Sequence, residues 1–195
     1  MAKLNPRQLE AVNYISGPLL VLAGAGSGKT SVITRKIAYL VRDCGIKAQN
    51  IVALTFTNKA AREMKERVSL LIKGNEARGL TVSTFHNLGL NIIRKEHKRL
   101  GYKPGFSIFD QQDAQALITD LMHRDYGADE GTEGIQAQIS NWKNDLISPD
   151  QALAQAKTPQ EQTAASVYMH YNRTLKAYNA VDFDDLILVP VALFQ

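Results

Sequence analysis

The sequence has one cysteine, Cys44, one tryptophan and no long apolar segment. One cysteine cannot form an internal disulfide, which favours a reducing, cytoplasmic location. No run of about 18 uncharged apolar residues is present, so no transmembrane helix is predicted, and the first residues lack the apolar stretch of a signal peptide. The 195 residues, 45% of them hydrophobic, suffice for one substantial core, or for one core and an appended lobe.

Acidic residues are scarce in the first part of the chain and basic residues are scarce in the rest. Residues 1–109 contain 18 Lys and Arg against 6 Asp and Glu, and residues 110–195 contain 5 against 13. The net charges of +12 and −8 together give the +4 of the whole chain. A basic segment beside an acidic one suggests a polyanionic partner such as nucleic acid. The alternative is that the charges serve solubility alone.

Strand and helix patterns alternate in the first part of the chain and predict an α/β fold. Three short apolar runs predict buried strands, at residues 19–23, 51–56 and 80–85. Apolar residues at helical spacing predict two helices, at residues 30–42 and 59–72. Strands joined by helical crossovers imply a parallel sheet.

The pattern becomes mainly helical after residue 86. Helices are predicted at residues 87–100, 111–124, 135–146 and 160–180, with one short strand as an option at residues 106–109. Ser148 and Thr158, each followed by proline, are typical of helix starts. Residues 186–194 are apolar and β-like, interrupted by Pro190. This part of the chain is therefore expected to form a helical lobe.

A glycine-rich segment links the first predicted strand to the helix that follows it. It comprises Ala23, Gly24, Ala25, Gly26, Ser27, Gly28, Lys29 and Thr30. Glycines allow successive N–H groups to converge on phosphate oxygens, and the helix N-terminus adds a favourable dipole. Lys29 would neutralise the β- and γ-phosphates, and Thr30 would offer its hydroxyl to Mg²⁺. The segment predicts a phosphate loop for Mg-ATP, with Ala23 as a tolerated variant of the usual glycine; the alternative is a turn that binds nothing.

Gln8 precedes this loop in the chain. A glutamine amide donates and accepts hydrogen bonds together, which matches the paired donor and acceptor on the adenine edge. Taken alone, a glutamine in an N-terminal helix is usually just a solvated side chain.

Polar and aromatic residues stand together at the ends of the second and third predicted strands. The groups are Phe56, Thr57, Asn58 and Lys59, and then Thr84, Phe85 and His86. Polar and cationic side chains can contact phosphates, while aromatic faces can stack on bases. Ligands in open α/β sheets bind at the carboxyl ends of strands, so two such groups predict a track for single-stranded nucleic acid. The alternative is that the two phenylalanines belong to the core.

Four segments occur in the order found in superfamily 1 DNA helicases of the Rep/UvrD/PcrA type, and the chain resembles the N-terminal part of those proteins. They are Leu4-Asn5-Pro6-x-Gln8, residues 23–30, residues 55–64 and Ser83-Thr84-Phe85-His86. Residues 139–144 and 181–187 resemble the Rep branch of the family in particular. Ala23 matches the family pattern.

The resemblance implies a P-loop NTPase fold with an inserted lobe. Residues 1–86 would form the first part of a RecA-like domain 1A, residues 87–182 an all-helical domain 1B, and residues 183–195 a return to domain 1A. It also implies ATP and Mg²⁺ as cofactors, and 3′→5′ translocation on single-stranded DNA with unwinding at junctions with duplex DNA, in replication or repair. Self-association would belong to the full-length protein.

The resemblance further assigns roles to individual residues. Gln8 would read adenine, and Lys29 and Thr30 would hold phosphate and Mg²⁺. The DNA contacts that it implies are Phe56, Thr57, Asn58, Thr84 and His86.

Asp182, Asp184 and Asp185 could be mistaken for the Walker B acids that hold Mg²⁺ in such proteins. A Walker B acid follows its apolar strand, whereas these acids precede residues 186–189, so we expect them to cap or pack. The resemblance places the Asp-Glu pair, the arginine finger and the second RecA-like domain beyond Gln195. We therefore expect an N-terminal fragment that binds ATP weakly and hydrolyses it negligibly.

Two other functions stay open. The chain could belong to the ATPase subunit of a related helicase-nuclease, or to a module that binds nucleotide or DNA without hydrolysis. A P-loop kinase or small switch NTPase is disfavoured, because the sequence has no evident substrate lid or base-specificity motif.

Overall fold

The computed structural model describes residues 3–127 and 131–194. The chain divides into two units, Met1–Phe85 and His86–Gln195. Within the described ranges, no helix is both long enough and apolar enough to cross a membrane.

The first unit alternates helices with short strands. Its described elements are α1 (Pro6–Asn13), α2 (Lys29–Arg42), β1 (Val52–Thr55), α3 (Asn58–Leu71) and β2 (Thr81–Thr84), with short 3₁₀ turns at Ala48–Asn50 and Gly74–Ala77. Helices α2 and α3 and both strands confirm the apolar patterns that predict them, to within a residue or two at each end. Their buried side chains share one core, formed by Ile37, Ile51, Ala53, Met64, Val68 and Ile72.

Strands β1 and β2 pair in parallel, with Thr55 opposite Thr84. This confirms the parallel arrangement expected from the helical crossover between them. Because both strands end at the same edge, the residues that follow them, Phe56 and Phe85, leave the sheet side by side.

The buried strand predicted at residues 19–23 is wrong. These residues have no regular structure, and Leu20 and Leu22 are 82% and 87% exposed. An apolar run becomes a strand only when a neighbouring strand takes up its N–H and C=O groups. In the described part of the chain, β1 and β2 pair only with each other, so this run has no ladder to join.

The second unit is mainly helical. Its described elements are α4 (Phe85–Glu96, beginning at the boundary), β3 (Ser107–Phe109), α5 (Gln111–Tyr126), α6 (Thr132–Asn144), α7 (Pro149–Gln155), α8 (Pro159–Ala177), β4 (Ala180–Asp182) and α9 (Asp185–Phe194). Ser148 and Thr158 cap α7 and α8 by accepting hydrogen bonds from the backbone N–H groups of Gln151 and Glu161. Both helix starts predicted from the sequence are therefore confirmed.

The prediction that residues 87–182 are all-helical is wrong in one respect. Strands β3 and β4 form a parallel pair in which Ser107 lies opposite Ala180 and Phe109 lies opposite Asp182. The sequence offers a strand at residues 106–109 as an option, but it predicts no strand at β4, of which only Ala180 falls within the helix predicted at residues 160–180. Each strand has three residues, and their partners are far apart in the chain, so local patterns carry little signal for the pairing.

The β-like structure expected at residues 186–194 is also wrong, because this segment is helix α9. A short apolar run does not by itself distinguish a strand from a buried helix. Pro190 lies inside α9 and has no N–H to donate to the carbonyl of Leu186. Gly89 of α4 packs against that carbonyl so closely that an added Cβ would lie 1.7 Å from its oxygen. The helix is thus held by a contact that only glycine permits.

Candidate functional site

The glycine-rich loop of the first unit makes a turn that depends on glycine at two positions. Gly26 and Gly28 have φ angles of +74° and +85°, in the left-handed region that favours glycine. The N–H of Ser27 donates to the carbonyl of Gly24 at 3.3 Å, which closes the turn. These angles direct the backbone from the loop into the first turn of α2.

Helix α2 begins at Lys29 with Gly28 as its N-cap, and no side chain caps it. The first N–H groups of a helix have no partner within the helix, and its N-terminus carries a partial positive charge. Thr30 follows as the second residue and is half-buried. The loop therefore presents backbone donors, a lysine and a hydroxyl in one short stretch, which is the chemistry that an anion such as phosphate requires.

The exposed ammonium of Lys29 is folded back on the loop. Its Nζ donates to the carbonyl oxygens of Ala23 at 3.0 Å and Gly24 at 2.7 Å. Both partners are neutral backbone groups in contact with solvent, so little free energy is needed to exchange them for a charged ligand.

Gln8 lies against the same loop, although nineteen positions separate it from Ser27 in the chain. Its Oε1 accepts from the N–H of Asn5 at 2.9 Å, which completes a capping box at the start of α1. Its Nε2 donates to the carbonyl of Ser27 at 2.9 Å. An added Cβ on Gly28 would lie 3.2 Å from this Nε2, so glycine at that position also leaves room for the amide. The structure brings Gln8 and the loop together; adenine recognition stays a prediction.

Two phenylalanines mark the strand-end surface, which we define as residues 56–59 together with Phe85. Phe56 is 94% exposed and Phe85 is 47% exposed, and their ring centroids are 6.1 Å apart at an interplanar angle of 41°. Neither ring is in the core, which removes the alternative raised from sequence. Such exposed aromatic side chains are available to stack on a planar partner.

The polar residues predicted beside these rings differ in exposure. Thr57, Asn58 and Lys59 are exposed at the start of α3, where the Thr57 hydroxyl also accepts from the N–H of Ala60 at 3.1 Å. Thr84 is only 7% exposed, so its side chain offers little surface to a ligand. His86 is exposed as the second residue of α4.

A buried lysine of the second unit contacts Asp182 and Asp185, and it was not predicted from the sequence. Lys143 of α6 donates from Nζ to Asp182 at 2.6 Å and to Asp185 at 2.8 Å, and the hydroxyl of Tyr171 donates to Asp182 at 2.9 Å. Asp182 also accepts from the backbone N–H of Asp185 at 2.9 Å. We call these four side chains the Lys143 network. The expectation that the acids cap and pack is confirmed for Asp182 and Asp185.

Burial opposes every charge in the Lys143 network. Burial also lowers the pKa of Lys143, but the carboxylates of Asp185 and Asp182 outweigh it and hold that pKa above its ordinary value. Burial raises the pKa of Asp185 to about 6. The Lys143 ammonium group and the two carboxylates satisfy one another through these hydrogen bonds. The only signal for this network in the sequence is a lysine on the otherwise apolar side of a helix.

The Mg²⁺ expected beside ATP is compatible with the residues at the loop. Among residues 3–127 and 131–194, no cluster of three or more His, Cys, Asp or Glu side chains could hold a metal by itself. Magnesium is commonly held through few protein ligands together with substrate phosphates and water. The hydroxyl of Thr30, at the start of α2, fits that mode of binding.

Comparison with known proteins identifies the class. Residues 4–195 match the family model described as UvrD/REP helicase N-terminal domain, and the chain belongs to this family. The match confirms the family inferred from the four sequence segments.

Individual relatives show how much of such a protein the chain represents. ATP-dependent DNA helicase Rep of Escherichia coli (strain K12) is 53% identical over 197 residues, which cover 99% of this chain and 29% of the relative. Rep of Salmonella typhimurium (strain LT2) is equally similar, at 53% identity over the same shares of both chains. ATP-dependent DNA helicase PcrA of Staphylococcus aureus (strain Mu50) is 42% identical over 194 residues, covering 98% of this chain and 26% of the relative. The chain thus spans less than a third of the length of these relatives.

Proposed function

We propose that this chain supplies the ATP-binding loop and part of the single-stranded DNA surface of an ATP-dependent DNA helicase. The observation that carries the proposal is the contact of the Gln8 amide with the Ser27 carbonyl, beside the left-handed turn at Gly26 and Gly28. It joins a group suited to a nucleotide base to a loop suited to phosphates. Family membership supports the same reading.

In the nucleotide complex that we propose, the loop residues 23–30 surround the phosphates with backbone N–H groups. Lys29 exchanges its contacts with Ala23 and Gly24 for the β- and γ-phosphate oxygens, and Gln8 faces adenine. Thr30 would hold Mg²⁺ through its hydroxyl, and the ion would supply positive charge that offsets the charge of the phosphates.

Single-stranded DNA is proposed to lie on the strand-end surface. Phe56 and Phe85 provide faces on which bases stack, while Thr57, Asn58 and Lys59 contact phosphates. Thr84 and His86 complete the set taken from the family pattern, with Thr84 acting mainly through its backbone because its side chain is buried. The net charge of +12 over residues 1–109 supports a polyanionic partner.

The domain arrangement that we propose follows the family. Residues 1–86 form the first part of a P-loop, RecA-like domain 1A, residues 87–182 form domain 1B, and residues 183–195 return to domain 1A. The full-length protein would translocate 3′→5′ on single-stranded DNA and unwind junctions with duplex DNA, in replication or repair in the cytoplasm, with self-association at that level.

Hydrolysis by the 195-residue chain is expected to be negligible. Asp182 and Asp185 are buried in the second unit, and both are bound to Lys143 rather than available to a metal ion. ATP hydrolysis needs a carboxylate on Mg²⁺ and a group that orients water. Robust DNA-stimulated turnover that is abolished by Lys29→Ala would contradict this expectation.

A titration with a fluorescent ATP analogue, with and without Mg²⁺, tests the nucleotide site. We expect weak, Mg²⁺-dependent binding that Lys29→Ala removes, whereas Lys65→Ala, on the exposed side of α3, leaves it unchanged. Absence of binding by the unaltered chain would contradict the proposal and favour a module whose loop has lost its function.

Fluorescence anisotropy with a labelled oligonucleotide tests the DNA surface. Binding should weaken steeply as salt rises, because Lys and Arg contacts release counterions. Phe56→Ala should reduce affinity by about 1–3 kcal/mol if bases stack on that ring. Salt-independent binding, or none at low salt, would contradict this part of the proposal.

A further inference from the structure

The C-terminal end of α1 is held by a lysine of the next helix. The last carbonyl groups of a helix have no partner within it, and its C-terminus carries a partial negative charge. The half-buried Lys36 of α2 donates from Nζ to the carbonyl of Ala11 at 2.9 Å and also to the carbonyl of Tyr14. One ammonium group thereby satisfies two carbonyls at the end of α1 and complements its dipole.

The other end of α1 is held by Gln8, whose Nε2 donates to Ser27. Gln8 and Val12 are four positions apart and share a face of the helix, and Val12 is only 4% exposed. Helix α1 has eight residues, and a helix of that length has little stability of its own. Its direction is therefore set by these attachments to the loop and to α2.

We propose that Lys36 is a positioning residue for base recognition: it fixes the C-terminal end of α1 so that the Gln8 amide stays at the phosphate loop. The inference rests on the proposed function, in which the loop holds phosphates and Gln8 faces adenine. Lys36 makes its contacts with backbone carbonyls of residues 11 and 14, so it acts through α1 and not on the nucleotide.

Loss of the Lys36 ammonium group should separate base selectivity from the affinity for phosphates. Without it, α1 can pivot about its remaining contacts, and the Gln8 amide is no longer presented in one orientation. The phosphate loop keeps Gly26, Gly28 and Lys29, whose geometry does not involve Lys36. Base selectivity should fall while the affinity for phosphates stays.

The experiment measures the affinities of the whole chain for ATP, GTP and inorganic tripolyphosphate by competition against a fluorescent ATP analogue. Lys36→Met should lower ATP affinity by about tenfold, to the level of Gln8→Ala, with tripolyphosphate affinity within about twofold of the unaltered chain. Lys36→Arg should retain ATP affinity, because a guanidinium also donates to carbonyls. Combining Lys36→Met with Gln8→Ala should give no further loss.

Several results would overturn the proposal. Unchanged ATP and GTP affinities in Lys36→Met would show that the lysine does not position Gln8. A parallel loss of tripolyphosphate affinity would show that it supports the loop itself, and additive losses in the double variant would show independent action. If Lys36→Met does not fold, as judged by circular dichroism, Lys36→Ala replaces it, since alanine also lacks the donor and should give the same selective loss of ATP affinity. Failure of the unaltered chain to bind either ATP or tripolyphosphate would instead contradict the proposed function.

Discussion

Two lysines, one in each unit, show how differently the two parts of this chain use the same side chain. Lys29 is exposed and donates to two neutral carbonyls of its own loop, at 3.0 and 2.7 Å. Lys143 is buried and donates to two carboxylates, at 2.6 and 2.8 Å. Water can replace the partners of Lys29 at little cost, whereas moving Lys143 would leave uncompensated charges in a dry interior. The first lysine is free to change partners, and the second is fixed.

The same contrast extends to the surroundings of each lysine. In the first unit Phe56 is 94% exposed and lies directly after a strand, beside the exposed residues that begin α3. In the second unit Trp142 stacks on Tyr168 at 5.9 Å, and Tyr171 completes the hydrogen bonding of Asp182. Binding groups need such accessibility, and a scaffold needs satisfied, buried contacts.

Replacing Lys143 should cause the largest loss of stability, in contrast to replacing Lys29. Lys143→Met leaves Asp182 and Asp185 buried without a countercharge, so the free energy of unfolding should fall by about 3–5 kcal/mol. Urea denaturation followed by tryptophan fluorescence measures this directly, because the single tryptophan, Trp142, belongs to the same unit as the network. The matched control is Lys29→Met, which should change stability by less than about 0.5 kcal/mol. Equal losses of unfolding free energy in Lys143→Met and Lys29→Met would mean that the Lys143 network does not contribute to stability.

Gly89→Ala should have the next largest effect. The new Cβ would lie 1.7 Å from the carbonyl oxygen of Leu186, so α4 and α9 must move apart, at a cost of about 3 kcal/mol or more. Gly134→Ala is the control within the same unit, because Gly134 lies in α6 and, apart from the nearby backbone of its own helix, nothing lies within 4 Å of the added Cβ. That change should stabilise the helix by up to about 1 kcal/mol. In thermal unfolding, Gly89→Ala should lower the melting temperature and Gly134→Ala should raise it. A Gly89→Ala chain as stable as the unaltered chain would refute the close contact.

The sequence predicted best where local pattern and local structure coincide. The apolar spacing of α3 and the Ser-Pro and Thr-Pro helix starts required no knowledge of distant residues. The errors at residues 19–23, β4 and α9 all depend on partners elsewhere in the fold. Pairing of Ser107 with Ala180, or the approach of Gly89 to Leu186, leaves no periodic trace in the sequence. In the candidate site, the loop was evident from composition, but the contacts of Gln8 and Lys36 with backbone carbonyls were not.

Asp185 should give the Lys143 network an unusual pH dependence. Burial raises its pKa to about 6 from an ordinary value of 3.8, so the folded chain binds this proton more tightly than the unfolded chain does. The stability that Asp185 contributes should therefore rise as pH falls from about 6 to about 4, by about 2–3 kcal/mol. The measurement is the difference in unfolding free energy between the unaltered chain and Asp185→Asn across that range.

Two exposed acids in the same unit contribute less stability as pH falls, but their effects cancel in the difference between the unaltered chain and Asp185→Asn. Hydrogen bonds from Arg124 and His170 lower the pKa of Asp125, and backbone N–H groups of Lys157 and Thr158 lower the pKa of Glu161. Both acids are present in the two chains compared. A difference that shrinks toward pH 4 would show that Asp185 is stabilised in its charged form.

The smallest effect on stability gives the sharpest comparison between the units. Gln8 and Gln151 occupy the same capping-box position, and each accepts the backbone N–H of its N-cap residue at 2.9 Å. Replacing either by alanine should cost about 0.5–1 kcal/mol of stability, since each loses one hydrogen bond at a helix start. Only Gln8 also donates to Ser27 of the glycine-rich loop. Gln8→Ala should therefore weaken ATP binding, measured by competition with a fluorescent analogue, while Gln151→Ala leaves it unchanged. If both variants bound ATP as the unaltered chain does, Gln8 would be a cap and nothing more, and the link between base and phosphate recognition would have to lie elsewhere.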